Sequence, residues 1–157
     1  MTDHDLFAKF WSEAWTDGLW AASWAKSVEG LTPEQAFWSP APGRHSIWQI
    51  VMHMVYWRET WLTRVATGRN HTPEQYEAGN FPAPPPATDP AARARAWSEA
   101  VRRLAETHTR IAAALAAGRS ASDKYPTDSL MYFLPHDSYH FGQINYLRAM
   151  QGLKPIE

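Results

Sequence analysis

The sequence of 157 residues contains no cysteine. Disulfide bonds, thiolate metal ligands and a cysteine nucleophile are therefore all excluded. Charge of one sign is also lacking, since 15 Lys and Arg residues stand against 16 Asp and Glu residues, for a formal net charge of -1. Because surfaces that bind nucleic acid are rich in basic residues, we expect no nucleic-acid partner.

Long apolar runs are missing as well. No stretch approaches the roughly 18 consecutive apolar residues that a transmembrane helix needs. The opening residues, from Met1 to Asp5, show neither the positive charge nor the apolar run of a signal peptide. We therefore expect a cytoplasmic protein with no membrane partner. The length predicts one domain over residues 1–157.

No segment alternates like a β-strand, whereas four segments carry apolar residues at helical spacing. The first segment is predicted to form one helix over about residues 3–27, with Gly18 inside it. The second helix is predicted to begin at Ser46, where Gln49 completes a capping box, and to end at Gly68.

The second half of the chain predicts two further helices. The third opens at the Asp-Pro pair at 89–90 and ends at Gly118. The fourth covers roughly residues 130–150, where Pro135 either kinks the helix or marks its true start. Residues 67–88 form a long connection that a proline-rich stretch keeps free of regular structure. These features predict an all-α four-helix bundle with one long crossover connection.

Tryptophan is unusually frequent, with nine residues in the chain. Aromatic side chains bury large areas in cores and in interfaces alike. Most of the tryptophans are expected in the core, but a cluster on the first helix also fits a subunit interface. That cluster consists of Trp11, Trp15, Trp20 and Trp24.

Three histidines carry the main chemical prediction. His136 and His140 are spaced i,i+4, so their imidazoles project from one face of the fourth helix. His53 lies on the second helix and can supply a third imidazole from the opposite side. Because neutral imidazole is the commonest metal ligand, His53, His136 and His140 are predicted to hold a divalent cation with coordination positions left open. The i,i+4 pair alone also fits ordinary core or surface histidines.

Other polar residues near these histidines are candidates for supporting roles. Gln143 shares the inward face of the fourth helix with the histidine pair. Tyr56 and Tyr139 flank the histidines in sequence, and these three residues are the candidate catalytic groups. Asp137 directly follows His136, and helical geometry is expected to rotate its carboxylate away from that imidazole.

A further histidine lies in the middle of the apolar stripe of the third helix. This residue, His108, is either a fourth ligand or base, or a core histidine with a hydrogen-bond partner. Familiar catalytic motifs are missing: the chain has no Gly-rich phosphate loop, no Gly-x-Ser-x-Gly turn and no His-Glu-x-x-His. The candidate ligands are not part of a Glu-x-x-His pattern, which disfavours a di-iron site.

Two stretches of the sequence resemble the signature regions of a known family. Residues 42–53, Pro-Gly-Arg-His-Ser-Ile-Trp-Gln-Ile-Val-Met-His, resemble the entry to the second helix of the DinB-like superfamily, which includes the YfiT-type proteins. Residues 136–144, His-Asp-Ser-Tyr-His-Phe-Gly-Gln-Ile, resemble its signature on the fourth helix. The order of elements extends the resemblance over essentially the whole chain. The sequence departs from the pattern at His45, where tryptophan is common, and at Pro135 before the histidine pair.

The resemblance implies a four-helix bundle with one left-handed crossover, usually dimeric. It also implies a divalent metal, often nickel or zinc, held by the residues that match His53, His136 and His140. Characterised relatives include transferases and isomerases that join mycothiol or bacillithiol to electrophiles. Other members are known only as damage-induced proteins.

The predicted function is that of a metal-dependent enzyme, either a transferase for a low-molecular-weight thiol such as bacillithiol or mycothiol, or a related hydrolase. We expect it to bind a small-molecule substrate and to form a homodimer. Two other interpretations stay open. One is a metal-binding or stress-response protein without catalysis, and the other is a metal-free interaction module built on the Trp-rich first helix.

Overall fold

The computed structural model describes residues 3–69, 72–118 and 132–156, and these ranges contain helices and no strands. The fold class is therefore all-α, as predicted. Seven helices occur in the described ranges: α1 (Asp3–Thr16), α2 (Trp24–Val28), α3 (Pro33–Phe37), α4 (Ile47–Thr67), α5 (Pro73–Asn80), α6 (Pro90–Ala116) and α7 (Phe133–Met150). Within the same ranges, no helix combines the length and the apolar character needed to cross a membrane.

The four longest helices form the bundle, and the three short ones pack against it. The most extensive contact joins α4 to α6, and α1 packs on the same α6. The helix α7 packs on α4 and on α2. Ile47, Met54, Leu104, Ile111 and Ile144 are fully buried where these helices meet. Burial of this apolar surface, at about 25 cal/mol per Å², is the main stabilising contribution to the fold.

The boundaries of α4 are those that the sequence predicted. The Ser46 hydroxyl accepts from the Gln49 backbone N–H, and the Gln49 side chain accepts from the Ser46 backbone N–H. This capping box satisfies two donors at the helix start. Gly68 ends the helix with φ 66°, in the left-handed region that a residue with a Cβ adopts only at a cost. The start of α6 is also confirmed, because Asp89 caps it and Pro90 occupies its first turn.

The prediction of one continuous helix over residues 3–27 is wrong. The chain leaves α1 after Thr16 and turns at Gly18, which has φ +82°. A Cβ at Gly18 would lie 1.9 Å from the Ala21 carbonyl oxygen, so the turn depends on glycine. Leu19 and Trp20 follow with φ of 49° and 73°. Helical periodicity continues across this break in the sequence, which is why the apolar pattern alone concealed it.

The break separates the four tryptophans of the first segment into different environments. Trp20 is fully exposed, whereas Trp11 is fully buried and Trp24 is nearly so. Trp24 stacks on Phe141 of α7, with ring centroids 5.1 Å apart. Trp24 is therefore a core residue that packs α2 against α7. Among these four residues, only Trp20 presents its whole ring to solvent.

The connection between α4 and α6 contains a helix that the sequence analysis missed. α5 begins with a second capping box, formed by Thr72 and Gln75, and then packs on α4. A Cβ at Gly79 would lie 2.0 Å from the Tyr56 ring, so glycine permits this close approach. The capping sequence Thr-Pro-Glu-Gln was visible at 72–75, but the prolines that follow α5 outweighed it in the prediction. The helix matters because its last residue, Asn80, contacts the candidate site.

The structure settles the position of Pro135. The helix α7 begins at Phe133, so Pro135 lies in its first turn and does not interrupt the helix interior. A first-turn residue has no intrahelical acceptor for its N–H, and proline is tolerated there for that reason. The predicted start of the fourth helix near residue 130 falls outside the described residues.

Candidate metal centre

His53 from α4 and the pair His136 and His140 from α7 converge at the contact between these two helices. One ring nitrogen from each lies within 4.8 Å of the others, and ring centroids are 4.5 to 5.2 Å apart. His53 and His140 are each 7% exposed. The three residues predicted from their spacing therefore share one partly enclosed point in the fold.

The Nδ1 atom of each of the three rings contacts an acceptor outside the cluster. His53 Nδ1 donates to the Asn80 backbone carbonyl at 3.0 Å. His136 Nδ1 donates to the Asp137 carboxylate at 2.8 Å, and His140 Nδ1 donates to the Gln143 side-chain oxygen at 2.8 Å. Because all three acceptors require the proton on Nδ1, each neutral ring keeps a lone pair on Nε2.

The lone pairs of His53 and His136 face one another. His53 Nε2 lies 3.1 Å from His136 Nε2, a separation at which two lone pairs repel unless a proton or a metal ion lies between them. Two nitrogens that each lie about 2.0–2.1 Å from one zinc ion are roughly 3.3 Å apart in tetrahedral geometry. The spacing of His53 and His136 therefore fits two ligands of a single ion. Three imidazole nitrogens suit zinc, nickel, copper or iron, and leave one or more coordination positions open.

Asp137 and Arg58 form a buried support behind His136. The Asp137 carboxylate is fully buried, and its second oxygen accepts from Arg58 Nε at 2.8 Å. Arg58 is also fully buried, and its Nη1 donates to the Leu104 carbonyl at 3.0 Å. The prediction that Asp137 is rotated away from His136 is wrong. Arg58 reaches Asp137 from α4 and holds its carboxylate inside the bundle, where one oxygen contacts the neighbouring imidazole.

The pKa values of His53 and His140 favour the neutral form of these two rings at physiological pH. Burial, together with the charge that a protonated His140 would place nearby, lowers the pKa of His53 from 6.5 to about 4. Burial also lowers the pKa of His140. Burial raises the pKa of Asp137, but the Arg58 guanidinium outweighs this with help from His136, so the carboxyl remains ionised. Protons therefore compete weakly for His53 and His140, and a negative charge stands behind His136.

A column of stacked rings supports His53 from the other side. Phe81, the residue that follows α5, lies parallel to His53 at 4.2 Å between centroids. His45 lies on the opposite face of Phe81 at 3.8 Å, so His45, Phe81 and His53 form one stack. His45 directly precedes the Ser46 cap of α4, and the stack gives this residue a structural role. Phe81 and Asn80 were missed because they belong to the connection in which no structure was predicted.

The cluster borders two cavities. The first, of about 480 Å³, has His53 and His136 in its wall together with Trp57, Trp61 and Arg64. The second, of about 1030 Å³, has His140 in its wall beside Tyr139. Ligands can therefore approach the point of convergence from either side of the α4–α7 contact.

The remaining candidates are placed as follows. His108 stacks between Trp11 and Trp15 and is not part of the histidine group in the described residues. The Tyr56 hydroxyl donates to the Gln75 carbonyl at 2.8 Å. Gln143 contacts His140, and its amide nitrogen donates to the Tyr139 hydroxyl at 3.0 Å.

The chain is an all-helical bundle in which three histidines converge between two facing helices. It therefore falls in the class of helical proteins with a candidate metal centre. The family model of the DinB superfamily matches residues 17–147. The chain belongs to the DinB superfamily. No curated protein and no solved structure matches it significantly.

Proposed function

We propose that this protein is a divalent-metal-dependent enzyme that transfers a low-molecular-weight thiol to an electrophile, with hydrolysis as the nearest variant. One observation carries the proposal. Three imidazoles each bring one ring nitrogen within 4.8 Å of the others, while a separate acceptor contacts each Nδ1. Ordinary core histidines do not need this arrangement, whereas metal-binding histidines commonly have such outer partners. Nickel and zinc are the metals we propose.

The residues of the site have two proposed roles, binding the metal ion and orienting the imidazole rings. His53, His136 and His140 would hold the ion, and Asn80, Asp137 and Gln143 would keep the three rings in the metal-binding tautomer. A divalent cation bound there would lower the pKa of a thiol or a water in its open positions and so make it nucleophilic at neutral pH. The aromatic wall beside His53 would exclude water and orient the electrophile.

The tyrosines and Gln143 contribute differently to this proposal. Gln143 is a positioning residue, because its side-chain oxygen accepts from His140 Nδ1 and so orients that ring. The Tyr139 hydroxyl accepts from Gln143, so its own proton remains available to a group in the second cavity. Tyr56 donates its proton to the Gln75 carbonyl on α5, and in this arrangement it braces the connection.

Metal content, measured on protein purified without an affinity tag and without added metal, is the first test. We expect about one nickel or zinc ion per chain. Turnover of 1-chloro-2,4-dinitrobenzene with cysteine or coenzyme A as the thiol should cease with a chelator and return when metal is restored. Bound metal without turnover, with a melting temperature that falls on chelation, would instead show a non-catalytic metal site.

Replacing one of the three histidines should weaken metal binding, whereas replacing a histidine elsewhere in the bundle should not. His136→Ala is expected to weaken metal binding at least about 100-fold, since loss of an outer partner alone costs roughly 10- to 100-fold. His108→Phe is the control, because His108 is a buried histidine that lies outside the group. Competition against a chromophoric chelator measures both affinities. Equal affinities for the two variants would contradict the assignment.

The oligomeric state belongs to the same proposal. We expect a homodimer, and the full exposure of Trp20 on a turn with positive φ supports an interface at that turn. Sedimentation of the wild type and of Trp20→Ala tests this, with a shift toward monomer expected for the variant.

A further inference from the structure

Three side chains of α4 donate hydrogen bonds to the connection that contains α5. Gln49 and Tyr56 each donate to a backbone carbonyl of this connection, at 3.3 and 2.8 Å. The candidate ligand His53 lies between them on the helix, and its Nδ1 donates to the Asn80 carbonyl at 3.0 Å. Because the three donors are four and three residues apart, they share one face of α4. The same imidazole therefore faces the metal centre and binds the connection.

The helix α5 packs on α4 without burying any residue of its own. The two helices come closest at Gly79, where a Cβ would lie 2.0 Å from the Tyr56 ring. Gly79 lies inside α5 and is not among the glycines with positive φ, so glycine is needed there for space and not for its backbone conformation. A larger residue must displace either α5 or the ring that packs on it. Gly79 directly precedes Asn80, whose carbonyl accepts from His53.

Residues at this contact also form part of the wall of the first cavity. Tyr76 of α5 stacks on Trp57, with ring centroids 5.3 Å apart. Trp57 Nε1 donates to the Asn80 side chain at 3.0 Å, and both residues line the cavity beside His53 and His136. A movement of α5 would therefore change the cavity wall and the outer partner of His53 together.

We propose that α5 is a third element of the metal centre: its docking on α4 at the contact of Gly79 with Tyr56 sets the metal affinity, and a metal ion bound to His53 in turn stabilises the docking. The inference rests on the proposed metal binding and adds its control by a helix that contains none of the three ligands. A metal ion on Nε2 requires the proton on Nδ1, and this is the proton that His53 donates to Asn80. Because coupling between two equilibria is reciprocal, metal binding must favour the docked helix by the factor by which docking favours the metal.

Gly79→Ala tests the proposal, with zinc affinity measured by competition against a chromophoric chelator. The added methyl group meets the Tyr56 ring, so the affinity should fall about 10- to 100-fold, as for loss of an outer partner. Gly142→Ala is the matched control. Gly142 is also a helical glycine, two residues after His140 on α7, and in the described part of the chain a Cβ there would meet nothing within 4 Å beyond its own helix. This control should bind zinc like the wild type.

A Tyr56→Ala background distinguishes the specific contact from general damage. Without the ring the methyl group has space, so adding Gly79→Ala to this background should change the zinc affinity little. Hydrogen exchange gives a second readout. Zinc should slow exchange of the α5 amides in the wild type, and it should slow them less in Gly79→Ala.

Three results would overturn the proposal: wild-type zinc affinity in Gly79→Ala, an equal loss from this substitution in the Tyr56→Ala background, or exchange of the wild-type α5 amides that zinc does not change. If circular dichroism shows that Gly79→Ala is unfolded, the exchange of the wild type with and without zinc decides. Failure of the metal proposal gives a different result. The wild type and Gly142→Ala would then bind no zinc, whereas α5 would still exchange faster in Gly79→Ala than in the wild type.

Discussion

The bundle contains two kinds of buried histidine, and they differ in what their ring nitrogens contact. His53 and His140 are each 7% exposed, and so is His108. Burial lowers the pKa of all three. The first two donate from Nδ1 to an acceptor and each bring a ring nitrogen close to the other histidines of the group. His108 lies between two indoles, and its buried Nδ1 has no hydrogen-bond partner among the described residues.

This contrast shows that neither burial nor a lowered pKa distinguishes a candidate metal ligand from a packing residue. What distinguishes them is the partner of the outer nitrogen, which fixes the tautomer and therefore the direction of the free lone pair. Arg58 stands between the two regions. Its guanidinium holds Asp137 behind His136 and lies 5.0 Å from the ring of Trp11, which stacks on His108.

The largest effect is expected when Arg58 is replaced, since this residue serves both regions. Arg58→Met leaves the Asp137 carboxylate buried without its cation, which should lower the free energy of unfolding by about 3–5 kcal/mol. Urea denaturation monitored by circular dichroism measures the loss. The double variant Arg58→Met with Asp137→Leu removes both charges and should recover most of the stability, because an apolar pair packs without a desolvation cost.

The double variant also separates folding from metal binding. His136 Nδ1 then loses its acceptor, so the recovered fold should still bind metal about 10- to 100-fold more weakly than the wild type. A double variant with wild-type metal affinity would show that Asp137 stabilises the bundle and does not position His136. A double variant as unstable as Arg58→Met would show that the cavity left by the guanidinium dominates.

An intermediate effect is expected at His108, and it depends on pH. Burial, with the nearby Arg58 charge, lowers the pKa of His108 from 6.5 to about 3. Between these pH values the unfolded chain binds the proton and the folded protein does not. The contribution of His108 to stability is therefore fully present above pH 6.5 and is lost as the pH decreases toward 3. The slope is about 1.4 kcal/mol per pH unit, or roughly 2 kcal/mol between pH 6.5 and 5.

His108→Phe should remove this part of the pH dependence while it keeps the stack between Trp11 and Trp15. Denaturation of metal-free protein at pH 7 and pH 5 measures the difference, and His53 and His140 cancel because both proteins carry them. At pH 7 the variant should be at least as stable as the wild type, since it removes an unpaired buried nitrogen. Identical pH dependence in the two proteins would show that His108 is accessible to protons in the folded state.

The convergence of the three histidines could be predicted from the sequence because their placement depends on local order. The i,i+4 spacing of His136 and His140 fixes a shared helix face, and the Ser46 capping box fixes where the turns of α4 begin. Once both helices were correct, His53 fell opposite the pair. Boundaries that depend on a single glycine were harder, as the turn at Gly18 shows, because apolar spacing continues across it.

The supports of the centre were not predictable in the same way. Arg58 and Asp137 are 79 residues apart, and Asn80 reaches His53 from a connection in which no helix was predicted. A pattern read along one helix contains no information about which acceptor a neighbouring helix presents. Asp137 shows this most clearly, since its direction is set by a guanidinium on α4 and not by its own helix.

The smallest effect is expected at Gln143. It tests whether the charge and burial of an outer partner determine how much that partner contributes to metal affinity. Gln143 is a neutral acceptor for His140, half-buried beside the exposed Tyr139, so water can replace it when it is removed. Gln143→Ala should therefore weaken metal binding by no more than about tenfold, at the lower end of the range for such partners. Gln143→Glu, which keeps an acceptor, should bind at least as tightly as the wild type in the same chelator competition. Tyr139→Phe should change the affinity less than Gln143→Ala, because its hydroxyl only accepts from the Gln143 amide. If Gln143→Ala lost as much metal affinity as the variant without Asp137, ring orientation alone would matter. The buried charge behind His136 would then add nothing to metal affinity.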